Sequence, residues 1–128
     1  EFRRGSSDLV QIANEQAIRN LAPDLSCLAR LGTRGVIVTA ISENGPADFV
    51  SRFFCPSLGI DEDPVTGSAH CCLAPFWAER IGCNELVGFQ ASRRGGFVRC
   101  TLAGDRVLLG GQAVTILSGK MIAPPPGT

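Results

Sequence analysis

Hydrophobic and polar positions follow two kinds of spacing along the first part of this chain, one typical of helices and one typical of strands. From Asp8, apolar residues recur at helical spacing and stop before Pro23, which predicts an amphipathic helix. Three leucines share one face of a second, short helix predicted over 24–31. The β-branched run 35–42 and the alternating run 48–54 predict two strands. We therefore expect two helices followed by two strands.

A long apolar segment occupies the middle of the chain. From Ala69 to Ala78 no side chain is charged, and His70 is the one strongly polar position. Gly82 is a natural C-cap, and Pro75 should kink the helix axis. A helix that is apolar on all sides must be enclosed by other structure. We expect a curved sheet to enclose this one.

Four short strand-like runs follow the apolar helix, separated by glycine-rich gaps. They cover residues 86–92, 97–102, 106–109 and 113–117. Such short gaps allow only hairpins, so the runs predict an antiparallel meander. Together the elements predict an α+β domain in which an antiparallel or mixed sheet curls as a barrel around the central apolar helix.

Length and charge narrow this picture. The 128 residues fit one domain over 8–119, preceded by a disordered leader or cloning scar over 1–7 and followed by a proline-rich extended tail over 120–128. Twelve basic and twelve acidic residues cancel, which gives no electrostatic reason for binding nucleic acid or a membrane. There is no apolar run of about 20 residues and no secretion leader, so we expect a cytoplasmic protein.

The six cysteines do not form a recognisable disulfide or metal framework. Two are adjacent, there is no CxxC, and several lie in apolar runs typical of reduced buried thiols. Neighbouring helix residues point about 100° apart, so His70, Cys71 and Cys72 cannot converge on one ion. Neither a metal site nor a cysteine nucleophile is predicted.

The start of the apolar helix carries the best candidate for chemistry. Ser68 is a good N-cap, and residues 63–66 supply acceptors just ahead of it. The backbone N–H groups of Gly67, Ser68 and Ala69 can therefore point at one small space. That is the usual composition of an anion site at a helix start.

Three acids precede this helix start, and two readings of them stay open. Asp61, Glu62 and Asp63 can be a solvated turn, or an acid among them can exchange protons with a carboxylate-bearing substrate held at the helix start. We interpret His70 as hydrogen-bonded to this loop rather than catalytic. Arg94 lies in a glycine-rich turn that is either a solvated hairpin or part of the mouth of the site.

Four segments of the sequence, taken in their order along the chain, resemble motifs of a known protein family. They are Asp-Glu-Asp-Pro-Val-Thr-Gly-Ser-Ala-His, Leu-Ala-Pro-Phe-Trp-Ala-Glu-Arg-Ile-Gly, Gln-Ala-Ser-Arg-Arg-Gly-Gly and Gly-Asp-Arg-Val-Leu-Leu-Gly-Gly-Gln-Ala-Val-Thr. Over roughly Gly35 to Gly119 the chain resembles the C-terminal half of the phenazine-biosynthesis-like (PhzF-type) family. The resemblance implies a diaminopimelate-epimerase-like fold of two similar halves, with the active site between them. It also implies a cofactor-independent isomerase that moves a proton on a small carboxylate-bearing substrate.

Site residues follow from the same resemblance. Asp63 is expected to assist proton transfer or orient the substrate, and Ser68, with the Gly67 and Ser68 amides, to bind the carboxylate. Thr66, Ala69 and Arg94 complete the predicted substrate-binding set.

The family's main acid/base glutamate and its Gly-His-Pro-Thr-like motif belong to an N-terminal half that nothing in this sequence reproduces. Glu15 faintly echoes the context of that glutamate, but it lies upstream of the strand–motif–helix unit. We interpret it as an ordinary surface residue.

Two functions are consistent with these observations. The first is half of an isomerase, inactive alone, whose partner is an N-terminal half. The alternative is a stand-alone half-domain that pairs with a second copy or another protein and binds without catalysis. The identity of the substrate is not predicted.

Overall fold

The computed structural model describes residues 1–3, 5–120 and 122, and within them the chain is a mixed α+β fold. The strands are β1 Phe2–Arg3, β2 Asp8–Gln11, β3 Val36–Ile41, β4 Phe49–Cys55, β5 Ile60–Glu62, β6 Glu85–Gln90, β7 Gly96–Ala103 and β8 Arg106–Gly110. The helices are α1 Glu15–Asn20, α2 Leu25–Ala29 and α3 Gly67–Ile81, with a 3₁₀ turn over Pro56–Leu58. None of the helices in the described ranges could cross a membrane.

One mixed sheet of eight strands runs through the molecule. Its order is β1-β2-β3-β4-β6-β7-β8, and β5 pairs with β4 beside an irregularity at Phe54 and Cys55. The β2–β3 and β4–β6 pairings are parallel, and the others are antiparallel. A barrel requires its two edge strands to pair, whereas β1 and β8 lie at opposite ends of this open sheet. The predicted barrel is therefore wrong.

Alternating side chains of β3 and β4 divide the core into two clusters. Ile37, Phe49 and Phe53 belong to the cluster that contains α3. Val38 and Val50 belong to the cluster that contains residues of α1 and α2. Because successive strand residues point to opposite faces, α3 covers one face of the sheet and the two short helices cover the other.

Helix α3 is not enclosed by the sheet, and the predicted central helix is also wrong. Cys71, Cys72 and Pro75 are exposed, and their spacing places them on one side of the helix. These three residues carry no charge, which is why the sequence pattern predicts an apolar run, but their small side chains tolerate contact with water. The opposite side is buried by Ala69, His70, Leu73, Ala74, Phe76, Trp77 and Ala78.

The predicted elements β3, β4, α2 and α3, the αL cap at Gly82 and the hairpins β6–β8 are confirmed. Two predictions are wrong. Asp8–Gln11 is a strand rather than helix because it pairs with β3, and α1 begins only at Glu15. Residues 113–117 form no strand, so the meander has three strands.

The structure describes most of the predicted leader over 1–7 but little of the predicted tail over 120–128. Inside the segment predicted as a leader or scar, Phe2–Arg3 pairs with β2. The predicted tail lies outside the described residues except for Lys120 and Ile122.

Candidate functional site

A buried glutamine fixes the loop ahead of α3. Gln90, the last residue of β6, is fully buried. Its Oε1 accepts the Thr66 N–H at 2.7 Å, and its Nε2 donates to the Asp63 carbonyl at 2.6 Å and to Thr66 Oγ1 at 3.1 Å. Both polar groups of the Gln90 side chain and their three partners in the loop are thereby satisfied, as buried polar groups require. The start of α3 is therefore positioned by the neighbouring strand.

A second clamp comes from the hairpin that follows β6. Ser92 Oγ donates to the Pro64 carbonyl at 2.7 Å and accepts the Gly95 N–H at 3.0 Å. Sequence reasoning missed both Gln90 and Ser92 as positioning residues. A glutamine inside an otherwise apolar strand is the signal that could have identified the first of them.

The N-terminus of α3 is left open. Thr66 is the N-cap, but its hydroxyl donates to Asp63 Oδ2 at 2.5 Å and caps nothing. The predicted N-cap role of Ser68 is wrong, because Ser68 is the second helical residue and is exposed. Within the described residues, the N–H groups of Gly67, Ser68 and Ala69 donate to no other group of the chain. They are the unpaired donors that every helix start presents.

His70 stabilises this helix start from the buried side of α3. It is fully buried, and its Nδ1 donates to the Thr66 carbonyl at 2.8 Å, which confirms the interpretation of His70 as bonded to the loop. Burial lowers the pKa of His70 below its usual value, against the opposing effect of that hydrogen bond. A Cβ added at Gly88 would lie 2.5 Å from Phe49 and 2.9 Å from the imidazole, so only glycine fits there.

An open groove of about 790 Å³ runs beside the start of α3. Gly67 and Arg94 both line it, so the structure brings these two predicted residues together. Arg99, which sequence reasoning missed, lines it as well. Neither arginine forms an ion pair within the described residues, and the groove lining contains no acidic side chain. The groove is therefore suited to an anion.

The other predicted binding residues do not line this groove. Thr66 and Ala69 are buried, and Ser68 is exposed outside the lining. Gly96 does line it, and a Cβ at that position would come within 2.5 Å of Val65 Cγ2. Glycine at 96 thus lets the hairpin approach the loop closely.

The three acids ahead of α3 have different surroundings. Glu62 forms a bidentate ion pair with Arg52 at 2.7 and 2.9 Å, so it is structural. Asp61 is exposed. Asp63 is half-buried, and its carboxylate accepts the Thr66 hydroxyl one turn before the helix. Among the three, Asp63 remains as the candidate for proton transfer.

The interpretation of Glu15 as an ordinary surface residue is wrong, because its side chain is buried. Its carboxylate accepts hydrogen bonds from Arg19, Ser42 and the Glu43 N–H. Burial opposes ionisation of Glu15, but these bonds outweigh it and hold its pKa below the usual value. A buried carboxylate that is held by three partners within the chain is structural.

All six cysteines are free thiols. Cys55 and Cys100 are buried as expected, and burial raises the pKa of Cys100 to about 11. Cys71 and Cys72 are exposed, contrary to expectation. In the described ranges, no three His, Cys, Asp or Glu side chains cluster in a way that could hold a metal ion.

Known proteins similar to this chain agree on one family. The model of the phenazine biosynthesis-like protein family matches residues 4–119. An uncharacterized isomerase of Pseudomonas aeruginosa is 52% identical over 119 residues, covering 91% of this chain and 45% of that protein. One of Halalkalibacterium halodurans is 49% identical over 114 residues, covering 89% and 43%.

Solved structures that resemble this chain belong to the same family. A putative phenazine biosynthesis PhzC/PhzF protein from Clostridium difficile superposes with a TM-score of 0.84 at 38% identity, covering 94% of this chain and 46% of that one. A PhzF family protein from Enterococcus faecalis gives 0.82 at 41% identity, covering 86% and 42%. The chain thus spans less than half the length of these relatives. The family match includes the loop, the open helix start and the groove, and the chain belongs to the phenazine biosynthesis-like protein family.

Proposed function

We propose that this chain supplies one half of the active site of an isomerase that moves a proton on a small carboxylate-bearing substrate. One observation carries the proposal: the open start of α3 at Gly67 shares a groove with Arg94 and Arg99 and with no acidic side chain. Unpaired N–H groups, the positive end of the helix dipole and guanidinium groups all favour a carboxylate. We assign the substrate's carboxylate to this groove, with Ser68 beside it.

Asp63 is the residue that we assign to proton transfer or substrate orientation. Its N–H donates to the Phe53 carbonyl at 3.0 Å, its own carbonyl is held by Gln90, and its carboxylate accepts the Thr66 hydroxyl. These bonds fix both the backbone and the carboxylate, as a group that must meet a C–H bond requires. The names of the relatives, uncharacterized isomerases, support the reaction class.

Moving a proton from one carbon position to another needs an acid/base group within reach of the carbon, whether one residue removes and returns the proton or two residues share the task. The groove lining contains no Asp, Glu or His, and Asp63 itself lies outside it. The relatives are more than twice as long as the segment they share with this chain. We therefore place the second acid/base group in the part of the protein that the relatives carry in addition, and we expect the chain alone to have little activity.

The test is a hybrid in which residues 4–119 replace the matched segment of the Pseudomonas aeruginosa relative. Exchange of substrate C–H for deuterium is followed by NMR in D₂O over a panel of small amino and hydroxy acids. We expect the hybrid to exchange at least one of them, and Asp63→Asn to slow that exchange by about 100-fold or more.

Asp61→Asn is the matched control, because Asp61 is an exposed acid in the same loop. It should leave the exchange rate unchanged. Equal exchange rates for the two variants would show that Asp63 takes no part in the mechanism. An unchanged substrate affinity in Arg94→Ala would show that the groove does not bind the substrate's carboxylate.

The non-catalytic alternative is a homodimeric or partner-binding module. Exposed apolar side chains favour it, among them Phe97 at 52% and Leu108 at 58% exposure. Sedimentation equilibrium of the isolated chain decides the homodimer, since a monomer at high concentration excludes it.

A further inference from the structure

Two hydrogen bonds in series connect strand β6 with the carboxylate of Asp63. Gln90 Nε2 lies 3.1 Å from Thr66 Oγ1, and Thr66 Oγ1 lies 2.5 Å from Asp63 Oδ2. Gln90 and Thr66 are buried, whereas Asp63 is half-buried. The series therefore leads from the interior of the protein to an acid that is partly open to water.

The backbone N–H of Thr66 fixes the direction of this series. An N–H can only donate, and it lies 2.7 Å from one end of the Gln90 amide, which must therefore be Oε1. The other end is Nε2, which also donates to the Asp63 carbonyl at 2.6 Å. Because an amide nitrogen accepts no hydrogen bond, Thr66 Oγ1 is the acceptor of the bond from Gln90.

The direction of the second bond follows from the first. A threonine hydroxyl carries one proton and accepts at its lone pairs. Since Thr66 Oγ1 accepts from Gln90, its own proton points at Asp63 Oδ2. Asp63 Oδ1 forms no hydrogen bond within the described residues. The two oxygens of this carboxylate are therefore not equivalent, and a proton that Asp63 takes up meets no competing donor at Oδ1.

We propose that Asp63 takes up and returns the substrate's proton at Oδ1, and that Thr66 is the positioning residue that reserves this oxygen for the task. In the uptake step the substrate's C–H bond breaks, an O–H bond forms at Oδ1, and the electron pair stays on the substrate carbon. The Thr66 hydroxyl remains on Oδ2 and holds the plane of the carboxyl group. This inference rests on the proposed function, because it assigns atoms to the role given there to Asp63.

The loop keeps its place without the Thr66 hydroxyl. Gln90 still binds the Thr66 N–H and the Asp63 carbonyl, and Ser92 Oγ still donates to the Pro64 carbonyl at 2.7 Å. Removal of the hydroxyl thus disturbs the orientation of the carboxylate and leaves the bonds that hold the backbone. A role in orientation and a role in holding the loop can therefore be separated by substitution.

Thr66→Val in the hybrid protein described above removes the hydroxyl and keeps the branched shape of the side chain. We expect kcat for C–H exchange to fall by about 20-fold and KM to stay within about twofold, because the carboxylate loses its orientation while the groove is unaltered. Thr66→Ser restores the hydroxyl, so its kcat should lie within about threefold of the wild-type value.

Thr39→Val is the matched control. Thr39 is also a buried threonine whose hydroxyl both donates and accepts, to the Val50 carbonyl and from Trp77 Nε1, but it lies on β3 outside the loop. It should leave kcat unchanged. Equal losses of kcat in the valine and serine variants at position 66 would assign Thr66 to the loop structure alone and overturn the proposal.

The variant Asp63→Asn separates this inference from the proposed function. Slow exchange in Asp63→Asn together with a wild-type rate in Thr66→Val would overturn the role of Thr66 and leave the proposed function in place. A wild-type rate in Asp63→Asn would overturn both.

Neutron diffraction from crystals of the isolated chain tests the direction of the bonds without an assay. The deuteron on Thr66 Oγ1 should point at Asp63 Oδ2, and a deuteron on Gln90 Nε2 should point at Oγ1. In crystals acidified until Asp63 is protonated, a further deuteron should appear on Oδ1. A deuteron on Oδ2, or a Thr66 deuteron that points at Gln90, would overturn the proposal.

Discussion

The two helices α1 and α3 begin in opposite ways. At the start of α1, Asn14 Oδ1 accepts the Ala17 N–H at 2.8 Å, and Glu15 in the first turn binds Arg19, Ser42 and the Glu43 N–H. At the start of α3 no side chain caps the helix, and the first N–H groups stay unpaired beside a groove. One start is closed by its own residues, and the other is open to a ligand.

The difference shows what identifies a site at a helix start. Both starts have an acid close by, Glu15 in one and Asp63 in the other, so the presence of an acid does not discriminate between them. What differs is how far the chain itself uses them: at α1 a side chain caps one backbone donor and the carboxylate has three partners, whereas at α3 no side chain caps a donor and the carboxylate has one partner. The open start is also the one whose loop is fixed from outside, by Gln90 and Ser92.

Removing the Gln90 side chain, which holds the loop ahead of α3, should have the largest effect on the difference between the two helix starts. Gln90→Ala leaves the buried Thr66 N–H and Asp63 carbonyl without partners, so we expect a loss of about 3 kcal/mol in the free energy of unfolding. Urea denaturation measures it. Gln16→Ala, an exposed glutamine on α1, should cost less than about 0.5 kcal/mol. Equal losses would show that the clamp does not hold the loop.

Neutralising the closed start should cost less. Glu15→Gln keeps the shape but weakens the bond to Arg19, and we expect a loss of about 1–2 kcal/mol, with Glu85→Gln as the exposed control. Because the pKa of Glu15 is below its usual value, this contribution is present at neutral pH and is lost as pH falls through that pKa. A difference between wild type and variant that does not shrink as pH falls below the usual glutamate range would contradict the assignment.

Closing the open start should have the smallest effect on stability and a clear effect on binding. Ser68→Asp places a carboxylate at the positive end of α3, which should stabilise the fold by about 0.5 kcal/mol and weaken binding of malonate by about tenfold. NMR titration measures the binding. Ser26→Asp adds the same charge on the exposed side of α2 and should leave it unchanged. Unaltered malonate binding in Ser68→Asp would place the anion elsewhere.

Much of the fold could be predicted from local pattern. The β-branched run of β3, the alternation in β4 and the long apolar run of α3 each depend on residues close in sequence, and all three are confirmed. The local pattern predicts helix for Asp8–Gln11, whereas its strand conformation depends on β3, a partner that periodicity does not reveal. The open sheet was missed for the same reason, since the parallel β4–β6 pairing spans α3.

The candidate site was predictable in position but not in detail. The loop and helix start stood out because acids, a Thr-Gly-Ser turn and an apolar run follow one another. Gln90, Ser92 and Arg99 were missed because their contacts join residues far apart in the chain, which spacing cannot encode. Glu15 was misjudged because burial of a carboxylate depends on partners such as Ser42 that come from another element.

The parallel pairing of β4 with β6 has a consequence for how the molecule is made. Phe49 and Ser51 lie opposite Gly88 and Gln90, so this ladder forms only after the whole of α3 has been synthesised and has crossed the sheet. Hairpins such as β6–β7 need only local loop closure and form earlier. Gln90 can reach the Thr66 loop only once the ladder is in place. The groove beside Gly67 thus depends on the long-range β4–β6 ladder, and the hairpins alone cannot form it.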